Sequence, residues 1–110
     1  MSLIDTFVRR SRFLGEQDGE PERLVKEALR PVLAECGITR AYLARVRYGL
    51  FGTNVALCLQ HAGQEADESR IVEAIDAVFS KQFNAQMDIM FLTGCRERDL
   101  AAVCQPFFKS

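Results

Sequence analysis

The stretch "ITRAYLARVRYGLFGTNVALCLQ", residues 38–60, decides how the chain is read. In its first half Tyr42, Ala44, Val46 and Tyr48 recur at every second position, with Arg40 starting the same register. Leu43, Arg45 and Arg47 fall between them. A period of two is the signature of a β-strand with one packed and one largely wet side. In the second half Val55, Leu57 and Leu59 alternate with Ala56, Cys58 and Gln60. "GLFGT" joins the halves, with glycine at both ends of the turn, so the two strands are expected to form an antiparallel hairpin.

Upstream the period changes. Leu24, Val25, Ala28, Leu29, Val32, Leu33 and Cys36 repeat with helical spacing, and Pro21 stands where the first turn of a helix accepts proline. Pro31 lies within this run and predicts a kink or an early break. Gly37 is a suitable stop. Downstream, Asp67 can cap a second helix whose buried stripe is Ile71, Val72, Ile75, Val78 and Phe79. "MDIMFL", residues 87–92, reads as a further strand, and "TGCRERDLAAVC" as a short last helix ended by Pro106. Phe107 and Phe108 are too apolar to hang free and should fold back onto the body. At the start, Leu3, Ile4, Phe7 and Val8 suggest a short helical extension over residues 1–12, and "RFLG" a brief extended piece.

The order is then strand, helix, strand, strand, helix, strand, short helix. The expected fold is α+β: an antiparallel sheet with helices packed on one face, arranged as a possible split βαββαβ unit, with short helices at both termini. At 110 residues the chain is one domain, long enough to bury a core without disulfides or metal.

Here the residues resemble a known family. "FLGEQDGEPERLVKEALRPVLAECGITRAYLARV", residues 13–46, is similar to the opening of the C-terminal domain of the enhanced serine sensitivity protein SseB. "LAAVCQPFF", residues 100–108, is similar to that family's terminal helix and Pro-Phe-aromatic ending. The similarity runs from about Phe13 to Phe108 and rests on packing motifs. Two departures stand out: the family's separate N-terminal domain has no counterpart here, and the final aromatic is Phe108 where the family tends to have tyrosine. The resemblance implies a cytoplasmic bacterial protein of poorly defined role, with no family active site to carry over.

Composition adds bounds. A net charge of −1 and a pI near 5.8 give no electrostatic footprint for nucleic acid. Arg9, Arg10 and Arg12 cluster, which reads as a solvated basic face. No apolar run is long enough to span a bilayer, and no signal-peptide core follows Met1, so no membrane partner and a cytoplasmic location are expected. The cysteines Cys36, Cys58, Cys95 and Cys104 are then reduced by default. None forms a CxxC or other close metal-ligand pair, so no metal and no cofactor are expected. Cys36 and Cys58 read as small buried hydrophobes. Cys95 differs: it opens a helix beside Arg96 and Arg98, which favours a thiolate and makes it the one candidate reactive thiol. His61, the only histidine, reads as a solvated loop residue.

The unusual feature is the hairpin tip. Leu50 and Phe51 occupy a turn that is ordinarily polar, so the tip either folds over the body or offers a contact surface. Arg45 and Arg47 line the less apolar strand face that leads to it, suited to a protein partner or an anionic ligand. The leading expectation is a non-catalytic interaction module that binds a protein or pairs with itself through Arg45, Arg47, Leu50 and Phe51. The alternatives are a small-ligand (amino-acid-like) sensing domain and a thiol-based enzyme using Cys95.

Overall fold

The structure, a computed structural model, describes residues 11–17, 19–48, 53–63, 67–82, 87–92 and 94–110; Ser11, Tyr48, Thr53, Gly94 and Cys95 are placed by backbone alone. Its elements follow the order β1 (Ser11–Glu16), α1 (Glu20–Glu35), β2 (Ile38–Tyr48), β3 (Thr53–His61), α2 (Glu68–Gln82), β4 (Asp88–Phe91), α3 (Gly94–Ala101) and β5 (Phe108–Lys109). The expected α+β class holds, with a five-stranded, mostly antiparallel sheet and three helices among the described residues. The strand order is β1-β2-β3-β4, which corrects the possible split βαββαβ arrangement: β1 and β2 are direct antiparallel neighbours, with no strand inserted between them. β1–β2 and β2–β3 are antiparallel. β3–β4 is parallel, which requires a crossover connection, and α2 supplies it.

β5 was not legible in advance. It pairs with Arg40 and Ala41 on the edge of β2 that β1 occupies at residues 44–48. Two strands thus share one edge, and Leu43 lies between them. Its carbonyl accepts from the Gln17 N–H at 3.0 Å and, weakly, from the Cys104 thiol at 3.7 Å. That contact accounts for Cys104, a free thiol, as packing and gap-filling. Phe107 and Phe108 do fold back: both are half-buried against the core beneath α1, and the Phe107 N–H donates to the Ala41 carbonyl at 2.9 Å.

The helices form where the apolar spacing puts them. α1 carries Pro21 in its first turn, with Glu20 and Glu22 favourable at its positive end. It runs through Pro31 to Glu35 without the expected break, since Leu29 before the proline and Val32 and Leu33 after it are buried together. Burial of that stripe on both sides offsets the roughly 3 kcal/mol that an interior proline costs. Gly37, at φ 72°, takes the left-handed conformation that ends the helix. Leu24 departs from the expected stripe and is 49% exposed. In β1 the register shifts between Phe13 and Gly15, a bulge in which Gly15 holds φ 152°. β1 begins at Ser11, inside the stretch 1–12 expected to be helical; residues 1–10 lie outside the described residues.

Both sheet faces are packed, which corrects the expectation that the Leu43 side is the wet one. α1 and α2 cover that side: Leu29, Val32, Leu33, Ile71 and Ile75 meet Ile38, Ala41, Leu57 and Leu59. The opposite side, with Phe13, Tyr42, Ala44, Val46, Ala56, Cys58 and Met90, is closed by Leu100 of α3 and by Cys104. Short as it is, α3 turns a sheet with one covered face into a three-layer core. Arg40 on β2 fastens it, pairing with Glu97 at 2.8 Å.

Candidate functional site

α1 and α2 end their cover partway along β2. Ala41 and Leu43 are buried, whereas Arg45 and Arg47, two and four residues beyond Leu43 on the same face, are exposed. Cross-strand pairing extends the patch in both directions. Arg47 stands opposite Arg12 on β1, and Arg45 opposite Val55 on β3, which is half-buried. Leu14, 42% exposed, belongs to the bulge of β1 across from Arg45. Three guanidinium groups and two aliphatic side chains therefore occupy the hairpin half of one sheet face.

The charge environment separates these arginines from the rest. Arg23 pairs with Glu20, Arg40 with Glu97, Arg70 with Asp67 and Arg96 with Asp99. Arg30 lies over the Phe107 ring, and Arg98 is also engaged. Among the described residues Arg12, Arg45 and Arg47 have no side-chain ion pair, hydrogen bond or ring contact, and Arg12 and Arg47 face each other directly. Like charges opposed across a strand pair destabilise a sheet, and no described residue offsets that cost at this cluster. Arg45 and Arg47 were expected here. Arg12 was assigned to a solvated basic segment, and the signal that recovers it is the β1–β2 register. Leu50 and Phe51, the apolar tip of the same hairpin, lie outside the described residues.

The thiols point to packing. Burial pushes Cys58 up to about 12, with the nearby Cys104 adding to the effect and Arg96 opposing it. Cys104 is pushed up to about 11, chiefly by burial and then by Glu16, against Lys26. Cys36 is also raised, by burial and by Glu35. All three are thiols near neutral pH and therefore weak nucleophiles. Cys95 sits in the first turn of α3, and its side chain lies outside the described residues. The Arg96 guanidinium beside it in sequence is held 4.6 Å above the Phe13 ring.

His61 is not a solvated loop residue. It is the last residue of β3, its side chain is 9% exposed, and its Nε2 lies 2.8 Å from a Glu68 carboxylate oxygen. Its ring meets Phe91 edge-on, with centroids 5.5 Å apart. The pair ties the end of β3 to the first turn of α2. Nδ1 is buried without a hydrogen-bond partner among the described residues, and no group of three or more His, Cys, Asp or Glu side chains there could hold a metal ion. A cleft of about 450 Å³ opens between α1 and α2, lined by Leu24, Glu27, Ala28 and Gln82. No described helix is long and apolar enough to cross a membrane.

No family model, curated protein or solved structure matches the chain.

Proposed function

We propose that this chain is a non-catalytic protein-interaction module, and that the hairpin half of the α1/α2 face is its contact surface. One observation carries the reading: the described arginines with no partner among the described residues all stand on the hairpin half of the α1/α2 face, beyond the cover of these two helices. An interface that mixes arginine with aliphatic ground is ordinary for a protein partner. The high thiol pKa values of Cys36, Cys58 and Cys104 support the non-catalytic part. The resemblance to SseB C-terminal domains fits the same reading, with a cytoplasmic bacterial setting.

The cleft at Leu24 supports the alternative of a small-ligand sensing domain. Its lining offers one carboxylate and one amide on an open wall, fewer converging polar groups than a selective pocket ordinarily uses. A photo-crosslinking residue placed at Leu14, beside Arg45 and leaving the three arginines in place, with one at the exposed Glu73 of α2 as control, tests the interaction reading in cells. Adducts at 14 and not at 73, competed by co-expressed wild-type protein but not by the Arg45→Glu/Arg47→Glu protein, are expected. Equal labelling at both positions, or none at 14, would refute it.

A further inference from the structure

We infer that the partner at this surface is an extended acidic polypeptide segment with carboxylates at alternate residues, received by Arg12, Arg45 and Arg47. The inference rests on the interaction reading above and names the chemistry of the partner. Arg45 and Arg47 are two residues apart on one strand, so their Cα atoms are spaced by roughly 6.6–6.8 Å at ~3.3–3.4 Å per residue. An extended partner repeats its side chains on one face at that same distance. Carboxylates at alternate positions therefore meet successive guanidinium groups without distortion of either chain. Arg12, opposite Arg47, widens the row to a second strand, so one carboxylate can be gripped from both sides.

The residue type favours the same partner. Guanidinium forks bind carboxylates through two parallel hydrogen bonds, which gives direction as well as charge. Val55 and Leu14 supply apolar ground beside Arg45, suited to the aliphatic side chains that a polypeptide places between its charges. A nucleic acid fits less well. It would meet no aromatic stacking platform among the described residues of this half-face.

The test uses the full chain and a labelled ten-residue peptide alternating Glu and Thr, at low salt. Its comparators are an isomer with the five Glu in one block and a single-stranded oligonucleotide of equal charge. The alternating peptide is expected to bind about five-fold or more tighter than the block isomer. Arg45→Gln/Arg47→Gln should weaken it by roughly tenfold, and Arg12→Gln by about three-fold, in keeping with exposed charge pairs. Arg23→Gln, at a paired arginine on α1, should leave it unchanged, and melting temperatures of all variants verify that they fold. Equal affinity for the block isomer, tighter binding of the oligonucleotide, an equal loss in Arg23→Gln, or no binding would each overturn the inference. Crosslinking at position 14 separates the levels: adducts without peptide binding leave the interaction reading standing and remove the acidic partner, whereas loss of both removes both.

Discussion

Along β2, one face of one strand meets two different surroundings. From Ile38 to Leu43 it lies under α1 and α2, and its side chains are aliphatic and buried. At Arg45 and Arg47 the helices no longer cover it, and the side chains are cationic and exposed. The alternation that makes both halves a strand is the same. What differs is coverage, and coverage sets whether a position contributes to stability or is available to a partner. The opposite face is divided at the other end: Tyr42, Ala44 and Val46 are buried in one run under α3 and the turn after it, and Arg40 before them is exposed at the edge of α3.

The strongest way to break this contrast is a core truncation in the covered half. Leu57→Ala, at a fully buried residue paired with Leu43, should cost about 2–5 kcal/mol in chemical denaturation. A cost below ~1 kcal/mol would show that the helices do not pack there as described. Truncation after Gln105 comes next. It removes β5 and two half-buried phenylalanines from the edge of the covered half, and about 2–3 kcal/mol of stability should be lost. At this chain length each 1 kcal/mol corresponds to roughly 4–8 °C, so the melting temperature should fall by more than about 8 °C.

Alkaline pH should act on the opposite face, the one that α3 closes. Cys58, across from Tyr42, stays a thiol in the folded chain until about 12, whereas in the unfolded chain it ionises near 9. Tyr42 is raised in the same sense, by burial first and then by Glu97, against Arg40. Both groups favour the folded state while they are neutral. Their contribution is complete below about pH 9 and is lost as pH climbs from 9 toward 12. Cys58→Ala should flatten that decline, measured by urea midpoints across the range. An identical slope in the variant would assign the alkaline loss to other groups.

Arg40→Ala sharpens the comparison at the edge of α3. The Arg40–Glu97 pair is half-exposed on the arginine side, so the cost should be ~0.5–1 kcal/mol. The smallest effect is expected in the uncovered half. Arg45→Ala and Arg47→Ala should each stay within about 0.5 kcal/mol of wild type, and the lack of a partner for either among the described residues allows a slight gain. A clear loss at either position would mean that the guanidinium groups stabilise this chain itself.

Much of this organisation is written in near-neighbour pattern. Residues 38–48 alternate as a strand and form one, the stripe Leu29, Val32 and Leu33 is helical and buried, and Gly37 ends its helix. Those features depend on residues two to four apart, whose spacing is set by the local backbone period. Other features needed the whole fold. Which side of β2 the long helices cover, the two-residue β5, the burial of His61 against Glu68 and Phe91, and the place of Arg12 opposite Arg47 all join residues far apart in the chain. Strand register and coverage are fixed by long-range packing that a one-residue slip would invert, and a local period carries no record of them. The sequence by itself determined the kinds of element and their amphipathic faces; the tertiary structure alone decided which of those faces are closed, and so where three arginines are left facing solvent.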